Sequence, residues 1–187
     1  MIKEDAPTTE PPYGRVTNAA RFAILHSVAL EALDRLEKEF DVERIEPYAH
    51  DEDLRGFVRA PLARPTVALV PREGAPLVVA FSSFPGLLVR LGSGYRTAFP
   101  SCGCDACDES ADGEADRFQQ LIRAVTEGQF REFVETGVEG SLTLVWEWES
   151  SGHRRREQLP LASAEASNLE LGPMSPWKPW VGRQAHK

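Results

Sequence analysis

The residues best equipped for chemistry are Cys102, Cys104 and Cys107. They are the only cysteines in a chain of 187 residues, and all lie in the run Ser101-Cys102-Gly103-Cys104-Asp105-Ala106-Cys107-Asp108-Glu109. Thiols held this close bind a metal, exchange electrons or pack as small apolar groups. Cys104 and Cys107 stand two residues apart, a spacing from which one tight turn can present two thiolates to an ion. Gly103 lets the backbone fold over such an ion, and Cys102 offers a third sulfur. Zinc completes a tetrahedron with a fourth donor. The candidates are His26, His50, His153, His186 and the carboxylates of Asp105 and Asp108, with His26 the expected ligand. Three thiolates point to a structural rather than a hydrolytic zinc, because most catalytic zincs use histidine and carboxylate ligands and keep a place for water.

Thiol chemistry is the second reading. A reactive cysteine needs its thiolate stabilised by positive charge or a helix N-terminus. Between positions 105 and 116 the chain instead carries six acids (Asp105, Asp108, Glu109, Asp112, Glu114 and Asp116) and no Lys or Arg. Nearby negative charge opposes a second negative charge, so the local sequence predicts sluggish thiols unless a cation is present. Inert packing is the third reading, but it does not account for three thiols clustered among acids. A metal reconciles thiols with acids and is the preferred reading.

Elsewhere the chemistry is thin. His26 falls on the apolar face of a helix, where a histidine can equally be a hydrogen-bonded core residue. His50-Asp51-Glu52-Asp53 reads as a solvated acidic turn that could at most hold a hard cation. The basic run His153-Arg154-Arg155-Arg156 reads as a strand edge paired with Glu147 and Glu149. No G-x-S-x-G, P-loop, G-x-G-x-x-G or H-E-x-x-H pattern is present, and no catalytic residue or organic cofactor is assigned. Trp177 and Trp180, set among prolines, read as a strap over the protein's own apolar surface.

The elements that must position the cysteines follow from periodicity. Phe22, His26, Ala29, Leu33, Leu36 and Phe40 recur at intervals of three and four and predict a helix capped by Thr17 or Asn18. Val42–Tyr48 and Leu54–Arg59 read as short strands. Thr66–Val70, Leu77–Ser82, Leu87–Leu91 and Tyr95–Phe99 are β-type runs separated by turn residues, which predicts an antiparallel meander ending at the cysteine loop. A second helix, capped by Ser110 or Asp112, carries Phe118, Leu121, Ile122 and Val125, and Phe130, Phe133 and Val134 read as its continuation. Leu142, Leu144, Trp146 and Trp148 alternate with Thr143, Val145, Glu147 and Glu149, and with the turn Ser151-Gly152 they predict a hairpin over 141–159. The expected fold is α+β: an antiparallel sheet of roughly five to seven strands with two main helices on one face. The expected organisation is a flexible lead-in at 1–16, a single domain at 17–160 and a Pro/Trp-rich tail at 161–187.

Net charge is −8, with a pI near 5.1. An acidic surface repels phosphate backbones, which argues against nucleic acid as a partner and leaves room for a basic protein partner. No apolar run reaches membrane-spanning length, and the first residues lack the apolar stretch of a secretory signal, so a cytoplasmic protein is expected.

Three motifs together resemble an uncharacterised family of bacterial proteins known as a domain of unknown function. They are Val16-Thr17-Asn18 with Arg21-Phe22 and Leu25-His26, then Phe84-Pro85-Gly86, then the run from Phe99-Pro100 through Cys102-Gly103-Cys104-Asp105-Ala106-Cys107-Asp108-Glu109. The similarity spans about residues 16–160 and includes the Pro/Trp-rich end. It implies no activity, and it marks His26 and the three cysteines as pattern positions. The expectation is therefore a non-enzymatic binding or regulatory protein with a local, zinc-type site at Cys102, Cys104, Cys107 and His26. The alternatives are an enzyme using the cluster with His26, or an acidic protein that binds a basic partner.

Overall fold

The computed structural model describes residues 13–49, 61–138, 141–150, 153–161 and 177–183. The predicted strand at 54–59, His50 and its acidic neighbours, and His186 lie outside the described residues. In chain order the elements are helix α1 (Ile24–Glu39), strands β1 (Val42–Ile45), β2 (Leu62–Pro71), β3 (Leu77–Ser82), β4 (Leu87–Leu91) and β5 (Tyr95–Phe99), helix α2 (Ala111–Thr126), and strands β6 (Phe130–Thr136), β7 (Leu142–Ser150) and β8 (His153–Leu161). A short 3-10 turn, Ala19–Phe22, leads into α1.

The fold is α+β, as the patterning predicts, with its strands divided between two antiparallel sheets. One has five strands in the order β1-β2-β3-β4-β5, and the other has three in the order β6-β7-β8. Neighbours in the sheets are also neighbours in sequence and every pair is antiparallel, so no parallel crossover is needed. The meander is held in register by pairs such as Val79↔Val89 and Val89↔Thr97.

A single large core joins the two sheets. Phe22, Leu25, Ala29, Leu33 and Leu36 from the first helical segment meet Phe118, Leu121, Ile122 and Val125 of α2. Val67, Leu69, Val79, Phe81 and Val89 project into this core from the large sheet, and Leu144, Trp146 and Trp148 enter it from β7. Ala68, Val78, Ala80 and Leu88 project to the opposite face and are buried there too. Period-two alternation with both faces covered explains why every residue of β3 is buried.

Two sequence expectations change. Phe130, Phe133 and Val134 lie on strand β6 and do not continue α2. Gly128 adopts a left-handed backbone (φ +70°) that ends the helix, and β6 then pairs with β7 from Phe130↔Trp148 to Thr136↔Leu142. The start of α1 also differs: Ala23 occupies its N-cap without a side-chain bond, because Thr17 is engaged elsewhere.

The segment from Trp177 to Arg183 is docked on the body. The Trp180 backbone N–H donates to the Thr126 carbonyl (2.9 Å), and its indole donates to the Ala75 carbonyl (3.0 Å). Gly182 bridges Phe40, and the Phe40 and Trp180 rings meet edge to face at 5.6 Å. Pro179 interrupts any regular strand, so backbone and indole bonds to the end of α2 and the β2–β3 turn take the place of a ladder.

Candidate metal centre

The cysteine loop spans the gap between the end of β5 and the start of α2, and two carboxylates of the loop itself set its shape. Glu109 reaches back across the loop and accepts backbone N–H bonds from Ser101 (3.1 Å), Cys102 (3.1 Å) and Gly103 (2.7 Å). Three successive amides converging on one carboxylate make a nest that fixes the first half of the loop. Gly103 sits at φ +78°, and a Cβ there would lie 2.8 Å from the Phe84 ring, so neither the backbone angle nor the space admits a side chain. Ser110 then caps α2 by accepting from the Gly113 N–H at 3.1 Å.

The second carboxylate, Asp105, is gripped from the opposite end of the sequence. One oxygen accepts from the Thr17 N–H (3.0 Å) and the Thr17 hydroxyl (3.1 Å), and the other accepts from Arg15 Nε (3.3 Å). In return the Asp105 N–H donates to the Arg15 carbonyl (2.9 Å). Arg21 donates to the Gly103 carbonyl at 3.2 Å and lies 3.8 Å from Asp105. The Thr17 N–H, with further help from the Thr17 hydroxyl and Arg15, holds the Asp105 carboxyl below its ordinary pKa.

Held in this frame, the three sulfurs converge. Their ligand atoms all lie within 4.8 Å of one another, and the Cys104 and Cys107 sulfurs are 3.4 Å apart. A tetrahedral ion with zinc-to-sulfur bonds of about 2.3 Å needs sulfurs about 3.8 Å apart, so the cluster closes on such an ion with small side-chain adjustments. Cys104 is buried, while Cys102 and Cys107 are exposed.

The thiols are not equivalent. A backbone hydrogen bond from Gly14, aided by the Cys102 and Cys107 thiols, lowers the pKa of Cys104 to about 6. Cys107, hydrogen-bonded with the Cys104 and Cys102 sulfurs and sharing the cluster's charge, is pushed up to about 12. The acidic local sequence predicts sluggish thiols throughout, and Cys104 departs from that expectation. Two of the loop acids, Asp105 and Glu109, are bound by amides, and Arg15, which arrives from a distant part of the chain, pairs with Asp105. One thiolate is therefore available near neutral pH, and a bound cation would offset the cost of removing the proton that Cys107 retains.

His26 stands outside the three-sulfur group. Its Nε2 lies 3.1 Å from the Gly86 carbonyl oxygen, and its ring meets Phe81 edge to face at 5.3 Å. Asp105 is occupied as described, and Asp108 is exposed with a left-handed backbone (φ 49°). Among the described residues the group of possible ligands is Cys102, Cys104 and Cys107 alone.

The three motifs that suggested a family nevertheless meet in space. Thr17 and Arg21 hold the loop at Asp105 and Gly103. The Phe22 and Phe84 ring centroids are 6.2 Å apart. His26 is bound to Gly86, and Gly86 abuts Phe99 and Pro100. A model described as "Family of unknown function (DUF6226)" matches residues 3–184. The chain belongs to this family. The match reaches further than the motifs do, taking in both the lead-in and the docked Trp177–Arg183 segment. No curated protein and no solved structure matches the chain.

Sequence reasoning missed Arg15 and Glu109 as braces of the loop, and it missed Glu132. The last is a buried acid on β6 that accepts from the backbone of Ser93, Gly94 and Tyr95 and from the indoles of Trp146 and Trp177. An acid within the apolar run from Phe130 to Val134 is the signal that could have found it.

Proposed function

We propose that this protein is a binding or regulatory protein whose cysteine loop holds a zinc-type ion through Cys102, Cys104 and Cys107. The observation that carries the proposal is the convergence of three sulfurs within 4.8 Å in a loop braced from both ends. An all-thiolate donor set suits a structural or regulatory ion better than a hydrolytic one. The ion would tie together segments that the loop already touches: the Gly14–Arg21 lead-in, the β3–β4 turn through Phe84, and the start of α2. Its presence or loss would then decide whether these segments act as one surface, which is how a local ion can regulate a partner's access.

Free thiols of this kind persist in a reducing compartment, which fits a cytoplasmic location. Among the described residues no helix is long and apolar enough to cross a membrane. With a net charge of −8, a basic protein is the class of macromolecular partner the surface favours.

Metal analysis of the full chain, purified without chelator under reducing conditions, tests the proposal. The expected result is about one equivalent of zinc or another thiophilic ion, lost when the three cysteines are changed to serine. A content below about 0.2 equivalents, with no uptake from added zinc, overturns it.

A further inference from the structure

We infer that the ion's fourth position accepts an exogenous small-molecule thiol whose apolar body lies in the groove beside Cys102. This inference rests on the proposal that the three cysteines hold a metal ion.

The first support is the donor count. Zinc takes four ligands, and the described residues bring three to the cluster. Among the described residues the exposed Asp108 stands outside the three-sulfur group, and the other neighbours able to supply a fourth have other work. Asp105 is bound by Thr17 and Arg15, Glu109 is bound by three amides, and His26 is bound to Gly86. Recruiting Asp105 or Glu109 would strip the bonds that shape the loop. An ion held by the described residues alone therefore retains a position for a ligand from solution, and the exposed Cys102 and Cys107 leave the cluster open on its solvent side.

The second support is a groove of about 310 Å³ that reaches the cluster at Cys102. Phe84, Leu87, Phe99 and Pro100 line it together with Ser101 and Cys102. That volume is at the lower end of small-molecule sites, and the wall is mainly aromatic and aliphatic. A ligand placed there has an apolar body in the groove and its head at the metal. The head that best completes a thiophilic three-sulfur site is a fourth sulfur. On binding, the thiol forms one sulfur–metal bond, displaces a water and releases its proton to solvent. No electron changes hands.

Cobalt(II) serves as the probe because its visible spectrum reports coordination number and the number of sulfur ligands. The full chain is loaded with cobalt(II) without oxygen and titrated with benzyl mercaptan or 2-mercaptoethanol. The bound metal is checked after gel filtration. The expected result is a saturable spectral change with both thiols and retained cobalt, with benzyl mercaptan acting at about tenfold lower concentration because its ring is buried. Ala98→Trp, at a partly buried groove position on β5 outside the cysteine loop, fills the groove. It should erase the difference between the thiols and leave cobalt uptake unchanged. Failure of the chain to take up cobalt or zinc overturns the metal proposal and this inference with it. Uptake with a spectrum indifferent to both thiols, or thiols that merely strip the metal, overturns this inference alone. Equal potency of the two thiols overturns the role of the groove.

Discussion

Two turns of this molecule are each organised by a carboxylate that collects backbone amides, and they differ in what is left over. At the turn between β4 and β5, Glu132 accepts from Ser93 (2.7 Å), Gly94 (2.9 Å) and Tyr95 (3.3 Å), then from the indoles of Trp146 (3.2 Å) and Trp177 (2.9 Å). It is buried, and a Cβ at Gly92 would lie 2.1 Å from its oxygen. At the cysteine loop Glu109 gathers three amides in the same way. The first turn satisfies its acid with protein donors alone, welding both sheets and the C-terminal segment at one point. The second fixes its backbone and gathers three sulfurs whose described partners are one another and, for Cys104, the Gly14 backbone, with no cation among them. Polar groups that are fully partnered hold a fold together, whereas groups gathered without partners are where a ligand belongs.

The largest effect should come from breaking the finished turn. Glu132→Leu leaves three amides and two indole N–H groups without their acceptor in a buried place. The expected loss is about 3–5 kcal/mol of stability, measured by urea unfolding followed through tryptophan fluorescence. A loss below about 1 kcal/mol would show that the turn holds without its acid. The corresponding cut at the cysteine loop, Glu109→Leu, should cost less, about 1–3 kcal/mol, because those amides lie near the surface and water can replace the carboxylate.

Metal affinity should separate the two turns in the other direction. Cys104→Ser removes the buried, most acidic thiol and should weaken zinc binding by at least about a hundredfold in a chelator competition, with little change in the stability of the metal-free protein. Glu132→Gln, tested in the same way, should leave zinc affinity within about twofold. If Cys104→Ser binds zinc as tightly as the parent, the sulfurs are not the ligands.

How far each turn was legible in the sequence follows from how local its causes are. The cysteines lie within six residues, and the runs β2 to β5 are marked out by turn residues between them. Both could be read directly. The braces could not, because Arg15 and Arg21 reach the loop across 90 and 82 residues of sequence. Local sequence therefore showed acids beside thiols and hid the guanidinium groups and amides that neutralise them. Phe130, Phe133 and Val134 fit a helical spacing as well as a strand, and only pairing with β7 decides between the two. Glu132 was hidden for the same reason: which face of β6 it occupies depends on that pairing.

The pH dependence sharpens the contrast further. Zinc binds thiolates, and Cys107 keeps its proton up to about 12 while Cys104 loses its own near 6. Above about pH 6 each ion must expel at least the Cys107 proton, so affinity should rise about tenfold or more per pH unit. Below about pH 6 the Cys104 proton competes as well, and the dependence should steepen by about a further tenfold per unit. Chelator competition between pH 5.5 and about 8 resolves the break. A flat profile would mean that the thiols are already ionised by something other than the metal.

The smallest effect is expected where the lead-in meets the loop. Asp105→Asn removes the charge that faces Arg15 at 3.3 Å and Arg21 at 3.8 Å, while an amide oxygen can still accept from Thr17. Arg15 is half exposed, so water screens its pair and the unfolding midpoint should barely move. The local consequence should be clearer than the global one. The Asp105 carboxyl is held below its ordinary range, so its contribution is present at neutral pH and is lost only as pH falls through that lowered value. At neutral pH the substitution should therefore loosen the segment from Gly14 to Arg21, and trypsin should cut after Arg15 and Arg21 a few times faster. Zinc should restore protection in the parent and, through the Cys104 loop, most of it in the variant. If the cleavage rate ignores both the substitution and the metal, the lead-in and the cysteine loop are neighbours without being coupled.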